Sequence, residues 1–183
     1  MSDHPDDQDF LDALDAPALR DLLRDFAKNW LAHDGVWFQA VEQAHGMEAA
    51  VAADTEAWRR FAPIEARRIM GQLGLKAGGG LDALAQVLCR RMYATINPFA
   101  LERVDDDTLR FRMIGCRVQE ARERKGMEAF ACKPVGKVEF TELARAVDPA
   151  IKTRCVICPP DKHHEGTWCA WEFTVSATCY EDA

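Results

Sequence analysis

The amino-acid sequence predicts an α+β protein in which N-terminal helices pack on a small antiparallel sheet made of two hairpins. Up to residue 97, apolar side chains recur at the three- and four-residue spacing of helix faces. After residue 98, short apolar runs alternate with polar turns, which is the pattern of hairpins. The chain has 183 residues, of which 48% are hydrophobic and 29% charged, as expected of one globular domain.

The composition also predicts the organisation of the chain and limits its partners. We expect residues 1–17 to form an acidic, poorly ordered N-terminus and residues 18–183 to form a single domain, with a helical part over 18–97 and a cysteine-rich hairpin part over 98–183. The net charge of -7 argues against nucleic-acid binding, which depends on clustered bases. No apolar run approaches the roughly 20 residues that cross a bilayer, and the acidic start is unlike a signal peptide. We therefore expect a soluble cytoplasmic protein without a membrane partner, and a homodimer stays open.

Four helical patterns occupy the helical part. The first starts near Pro17 and runs for about four turns, and its apolar face consists of Leu19, Leu22, Leu23, Phe26 and Trp30. A second pattern resumes after His33-Asp34-Gly35. An Ala-rich helix is predicted from Met47 to Met70, where Pro63 should kink or divide it. A glycine-rich loop then leads to a helix that begins near Leu81 and ends before Asn97-Pro98.

The hairpin part reads as two strand pairs with short helices between them. Residues 99–104 and 108–114 form the first predicted hairpin around an Asp-rich turn, with Leu109 and Phe111 on one face and Arg110 on the other. Helices are predicted over 119–125 and 138–147. Residues 151–158 and 168–175 form the second hairpin.

Cysteine usage gives the strongest chemical signal in the sequence. Six of the seven cysteines follow residue 115, and thiols in a cytoplasmic protein more often bind metals or react than form disulfides. Cys155 and Cys158 have a C-x-x-C spacing, but the second C-x-x-C of a zinc ribbon is missing. The hairpin topology should bring four thiols together, with Cys155 as a substitute for one of them. These predicted ligands of zinc or an iron–sulfur cluster are Cys116, Cys132, Cys158 and Cys169.

The alternative is that several of these cysteines are small buried hydrophobic residues, as free cysteines often are. His163 and His164 lie between two of the cysteines and could add ligands, although exposed loop histidines are the simpler interpretation. Cys89 and Cys179 are expected to lie apart from the cluster.

A second candidate site lies in the helical part, around His33 and Asp34. Their aromatic neighbours, including Trp37, could wall an apolar pocket in which a small molecule meets a few polar groups. Alternatively, Asp34 caps a new helix that begins at Gly35, and His33 is only its neighbour. No complete P-loop or G-x-S-x-G motif is present, which disfavours nucleotide hydrolysis and serine-hydrolase chemistry.

Several short motifs carry a family resemblance. They are residues 29–38 (NWLAHDGVWF), 116–122 (CRVQEAR), 132–134 (CKP), 158–161 (CPPD) and 169–173 (CAWEF). Together they resemble a family of cytosolic bacterial and archaeal proteins that is similar to L-2-amino-thiazoline-4-carboxylic acid hydrolases. The closing motif also resembles small-molecule-binding domains related to vinyl reductases. This resemblance implies helices packed on an antiparallel sheet and a metal or ligand held at Cys158 and Cys169.

Two classes of function therefore stay open. The first is a binding protein that takes a small molecule between helices and sheet and holds a metal on its C-terminal thiolates. The second is a hydrolase of C–N or C–S bonds in a small cyclic amino-acid-like substrate. In that enzyme the attacking group would be a cysteine, with Cys116 and Cys132 as the candidates beside basic side chains, or a metal-bound water.

Overall fold

A computed structural model describes residues 9–162 and 166–175, and it confirms the α+β fold class. His163, His164 and Cys179 lie outside the described residues. The described helices are α1 (Asp9–Asp12), α2 (Ala16–His45), α3 (Met47–Leu73), α4 (Gly80–Arg90), α5 (Arg117–Arg124) and α6 (Lys133–Val147), with a 3₁₀ turn (Met92–Thr95) after α4. The strands are β1 (Phe99–Asp105), β2 (Thr108–Met113), β3 (Ile151–Ile157) and β4 (Cys169–Val175).

Helix α2 is one continuous helix, so the predicted interruption at Asp34-Gly35 is wrong. The helix starts where expected, since the Asp15 carboxylate accepts the Ala18 N–H at 2.8 Å as an N-cap. A glycine inside a helix costs only about 1 kcal/mol relative to alanine. The buried side chains of Leu31 and Phe38 flank Gly35 and pack on the core, and this packing outweighs that cost.

Helix α3 likewise continues through Pro63 instead of dividing there. A proline inside a helix removes one backbone hydrogen bond and costs about 3 kcal/mol. The helix persists because its buried face is apolar on both sides of the proline, with Trp58 before it and Ala66 and Ile69 after it. None of the helices in the described part of the chain is both long and apolar enough to cross a membrane.

The sheet has the two predicted hairpins, joined along their inner strands. Its order is β1-β2-β4-β3 with antiparallel neighbours, and Phe111 of β2 pairs with Trp171 of β4. Leu109 and Phe111 are buried on the inner face, as predicted. Arg110 pairs with Glu172 on the outer face, where its Nη2 atom lies 2.8 Å from the carboxylate.

Helix α6 lies between the sheet and α3, and it forms the middle layer of the molecule. The Phe140 ring packs against Phe111 and Trp171, with ring centroids 5.4 and 4.9 Å apart. The first turn of α6 approaches the sheet most closely at Gly136, where an added Cβ would lie 2.7 Å from Cζ2 of Trp171. Glycine is therefore required at this position by space, not by backbone conformation.

Substitution of two helical glycines tests this packing. We expect Gly136→Ala to destabilise the protein by about 1–3 kcal/mol, because its methyl group would overpack the Trp171 ring. The matched control, Gly35→Ala, meets no atom within 4 Å and should stabilise α2 by about 0.5–1 kcal/mol. Urea unfolding measures both changes, and equal effects of the two substitutions would contradict the assigned layer packing.

Candidate functional site

A cavity of about 390 Å³ opens between the helices and the inner face of the sheet. Residues from α2, α3, α5, α6, β2 and β4 contribute to its wall. The aromatic part of the wall consists of Phe38, Trp58, Tyr93, Phe130, Phe140 and Trp171. The polar part contains a group of thiols at one side and a group of carboxyl groups deeper in the helical layer.

Four cysteines that are far apart in the sequence line this one cavity. They are Cys116, Cys132, Cys158 and Cys169. The sulfur atoms of Cys132 and Cys158 lie 3.6 Å apart. Cys158 also interacts with the thiol of Cys169, and Cys116 lies close enough to Cys132 and Cys169 to feel their charge. The structure thus places on one wall the four thiols predicted as metal ligands.

Backbone contacts hold the two closest thiols in place. Cys132 is the N-cap residue of α6, and Cys158 follows β3 directly before a cis peptide bond between two prolines. The Lys133 N–H donates to the Pro159 carbonyl at 2.9 Å, so the residues that follow the two cysteines are hydrogen-bonded to each other. Asp161 accepts from Lys133 Nζ at 2.7 Å and from the Cys158 N–H at 3.2 Å. One carboxylate therefore fastens both segments.

The thiols differ in their protonation. Burial raises the pKa of Cys116 to about 12, so that this thiol stays protonated at neutral pH. The hydrogen bond with Cys158 lowers the pKa of Cys132, and the Gln119 amide N–H, 3.6 Å from its sulfur, adds to the effect. The same contact raises the pKa of Cys158. Of the two cysteines predicted as nucleophiles, Cys132 has the environment that favours a thiolate.

Two other described cysteines, Cys89 and Cys155, are not part of the cavity lining, although Cys155 lies close enough to Cys169 to be affected by its charge. Cys89 is exposed on α4, and Cys155 is half-buried on β3 outside the cavity lining. Burial is the largest influence on Cys155 and raises its pKa. Within the described ranges, no group of three or more His, Cys, Asp or Glu side chains has the arrangement needed to hold a metal ion. The four cavity thiols thus share a wall without forming a ready-made metal centre.

Three carboxyl groups lie in the deeper part of the cavity. Asp34 comes from α2, Asp54 from α3 and Glu139 from α6. Burial raises the pKa of all three, and that of Asp54 rises to about 7 because Asp34 and Glu139 add to the effect. A cavity that holds mutually repelling carboxylates favours a proton or a cationic group among them.

One buried arginine partly neutralises these acids. The Arg91 side chain is 4% exposed and forms ion pairs with Glu65 at 2.9 Å and Glu139 at 2.7 Å. Its guanidinium carbon also lies 5.5 Å from the Trp58 ring centroid and 5.7 Å from that of Tyr93. These ion pairs keep Arg91 charged. The ion pairs of Arg91 are thus with Glu65 and Glu139, and at Asp34 the charge of the neighbouring His33 offsets only part of the effect of burial on the pKa.

The outer part of the lining is basic. Its exposed members are Lys28, Arg117, Arg124 and Lys125. Helix α5, which carries two of them, is fixed over the cavity by the ion pair between Arg122 and Glu42, at 2.9 and 3.0 Å. Gln119 adds two hydrogen bonds to the Phe130 backbone, at 2.7 and 3.0 Å. The cavity therefore has a basic mouth and an acidic interior.

The structure separates the three residues predicted as ligand-binding in the helical part. Asp34 lines the cavity, but it lies inside α2, so its predicted capping role is wrong. His33 and Trp37 are exposed and do not line the cavity, and they are therefore not positioned to bind a ligand there. The physical reason is helical geometry: the cavity-facing stripe of α2 runs through Leu31, Gly35 and Phe38, and residues two positions before and after Gly35 point to the opposite side of the helix.

The sequence interpretation missed Asp54, Arg91 and Glu139. A signal for Asp54 was present, since it lies four residues after Ala50 and four before Trp58, in the buried row of α3. An acid in such a row has to be paired, protonated or functional. No comparable signal distinguishes Arg91 and Glu139, because their partners come from helices distant in the sequence.

A family model described as "Family of unknown function (DUF6125)" matches residues 13–175, a range that includes every residue of the cavity wall. No curated protein matches the chain. The comparisons thus assign a family without an activity, and the resemblance to thiazoline hydrolases and vinyl-reductase-like domains stays a prediction.

The raised pKa of Asp54 makes stability depend on pH. The folded state binds a proton at pH values up to about 7, whereas an unfolded aspartate has its ordinary value of 3.8. The free energy of unfolding should therefore fall as pH rises through this window, by at most about 1.4 kcal/mol per pH unit for this group. Asp54→Asn should flatten the profile, and Asp106→Asn in the exposed β1–β2 turn should not. Urea unfolding at several pH values between 3.8 and about 7 measures the free energy of unfolding. If this free energy fell with pH as steeply in Asp54→Asn as in the unmodified protein, the raised pKa of Asp54 would be contradicted.

Proposed function

Because the chain belongs to DUF6125, a family of unknown function, its role has to be inferred from the cavity, and we propose that it binds a small amphoteric molecule there. The observation that carries this proposal is the distribution of charged side chains in one aromatic-walled cavity. Carboxyl groups lie inside it and exposed bases lie at its mouth. Such a ligand would place its cationic group inside, its apolar body against the rings and its anionic group at the mouth.

The size and lining of the cavity support a small organic ligand. Ligand sites are typically apolar clefts of about 300–1,000 Å³ with a few converging polar groups, and this cavity of about 390 Å³ is at the small end of that range. Its aromatic rings offer contact area and cation–π partners at the same time. The cavity has room for a molecule the size of an aromatic amino acid.

The inner acids support a cationic group on the ligand. Burial makes the charge of Asp34 and Asp54 costly, and at Asp34 the charge of His33 offsets only part of that cost. An ammonium or amidinium group between them would relieve the repulsion and restore both carboxylates to their charged form. The basic mouth, with Arg117 and Lys125 exposed, suits a ligand carboxylate at the other end.

A second candidate ligand is a soft metal ion on the thiol wall, the side of the cavity that Cys116, Cys132, Cys158 and Cys169 line. It is supported by the contact between Cys132 and Cys158. Two sulfurs each about 2.3 Å from one tetrahedral ion lie about 3.8 Å apart, close to the 3.6 Å between these two. Thiolates also have the chemistry that zinc and iron–sulfur clusters select. A metal would have to draw in Cys169 and Cys116, because no set of three donors in the described part of the chain is already arranged for it.

A hydrolase of C–N or C–S bonds is the alternative within the same cavity. It is favoured by one observation, the lowered pKa of Cys132 on the cavity wall. A thiolate there faces the space that an amino-acid-like substrate would fill, with Glu139 on the same helix as a proton acceptor or donor. The substrate of such a hydrolase and the ligand of the binding protein would belong to the same chemical class.

Three probes with one ring and different charges test the binding proposal. 4-(Aminomethyl)benzoate carries both charges at opposite ends of its ring, benzylamine only the cation and benzoate only the anion. We expect 4-(aminomethyl)benzoate to bind most tightly by isothermal titration calorimetry, with each missing charge weakening binding about tenfold, the effect of a lost charged hydrogen bond. Asp54→Asn should weaken the two amines and leave the carboxylate probe unchanged, and Asp106→Asn should change none. Equal binding of all three probes, or none at millimolar concentration, would contradict the proposal.

Zinc titration under reducing conditions tests the metal candidate. We expect one equivalent of zinc to bind in competition with a chromophoric chelator, and Cys158→Ser to weaken it at least about tenfold, since one thiolate ligand is lost. Cys89→Ser removes an exposed thiol far from the cavity and is the matched control. If both variants bound zinc like the unmodified protein, the thiol wall would not be the metal site.

A further inference from the structure

We propose that Cys132 and Cys158 form a redox-active dithiol, which a small hydroperoxide converts to an intramolecular disulfide. Their sulfurs, at 3.6 Å, are already in contact and have only to approach to about 2.05 Å. This modification site goes beyond ligand binding and does not depend on it. It assigns the thiol wall an oxidisable state in addition to its reduced one.

The backbones on which the two thiols stand favour this pairing. Lys133 and Pro159, the residues that follow the two cysteines, share a backbone hydrogen bond of 2.9 Å. Asp161 holds Lys133 and the Cys158 N–H at once. The start of α6 and the end of β3 are thereby fixed side by side, so that closing the bond requires side-chain rotation and little movement of the backbone.

The two cysteines differ in how exposed they are to an oxidant, and this difference assigns a role to each sulfur. Both cysteines line the cavity, which is wide enough for a hydroperoxide, but Cys132 is half-buried whereas Cys158 is buried, and the Gln119 N–H lies 3.6 Å from the Cys132 sulfur. Cys158 is 1% exposed and reaches an oxidised Cys132 without reaching solvent. Cys132 is therefore the attacking thiol and Cys158 the resolving one.

The reaction balances with hydrogen peroxide as the oxidant. The Cys132 sulfur attacks one peroxide oxygen, the O–O bond breaks, and the departing hydroxide takes the thiol proton to form water. Cys132 is then a sulfenic acid. The Cys158 sulfur attacks the Cys132 sulfur, the S–O bond breaks, and hydroxide with the Cys158 proton forms a second water. Two electrons pass from the two thiols to the peroxide.

The disulfide would change the cavity directly. It removes two of the four thiols from the wall and joins α6 to the end of β3, so a thiophilic ligand loses its best-placed pair of donors. Cys169, which lies on β4 and also interacts with the Cys158 thiol, remains free beside the disulfide. Cys169 and Cys116, which lies near Cys132, are the competing partners that the experiment has to exclude.

Peptide mapping of the full chain tests the proposal. The reduced protein is treated with one equivalent of hydrogen peroxide, blocked with N-ethylmaleimide, digested and analysed by mass spectrometry. We expect a cross-link between the Cys132 and Cys158 peptides with the loss of about 2 Da, and its reversal by dithiothreitol. Cys132→Ser should abolish the cross-link, whereas Cys169→Ser and Cys89→Ser should retain it.

Each other outcome overturns the assignment. A cross-link between Cys158 and Cys169, or oxidation of Cys132 to sulfinic acid without a cross-link, would show that the proposed pair does not react together. The peptide map of the unmodified protein shows directly which two cysteines are cross-linked. The proposal can therefore be rejected even if one of the variants fails to fold. Zinc affinity of the oxidised protein gives a separate readout, which should fall at least about tenfold if the thiol wall binds metal.

Discussion

A single buried guanidinium, that of Arg91, organises the helical layer of this protein. It lies between Glu65 of α3 and Glu139 of α6, at 2.9 and 2.7 Å, and its plane contacts the Trp58 and Tyr93 rings. Removal of one partner from such a pair typically costs 3–5 kcal/mol, about the stability of a small domain, because a charge is left buried and unpaired. The position of α3 on α6, and with it the depth of the cavity, depends on this cluster.

The same cluster explains why the cavity is polarised. Arg91 uses its charge on two acids of the core, which leaves Asp34 and Asp54 as desolvated carboxyl groups at the inner end. The bases of α5 lie at the mouth because α5 is anchored to α2 by the Arg122–Glu42 pair. An ordinary packing requirement, the pairing of buried charges, therefore also creates the charge gradient that a ligand would meet.

The thiol wall illustrates the difference between assembling a group and forming a metal site. Topology brings four cysteines to one cavity because Cys132 precedes the helix that crosses the sheet, while Cys158 and Cys169 stand at the adjoining ends of a hairpin. Ligation needs more, since all the sulfurs must meet at one point. The Cys132 and Cys158 sulfurs are in contact at 3.6 Å, whereas no three donors of the described residues are arranged for a metal, which favours chemistry of two thiols over that of four.

The sequence by itself determined the fold class and the two hairpins, because these depend on local periodicity and on chain order. Only the tertiary structure decided that α2 continues through Asp34, that His33 lies outside the cavity, and that Asp54 meets Glu139 within it. Local preferences at a glycine or a proline amount to about 1–3 kcal/mol, and burial of the flanking apolar side chains exceeds them. Contacts between distant helices leave no periodic trace in the sequence, and the acidic end of the site is built from such contacts.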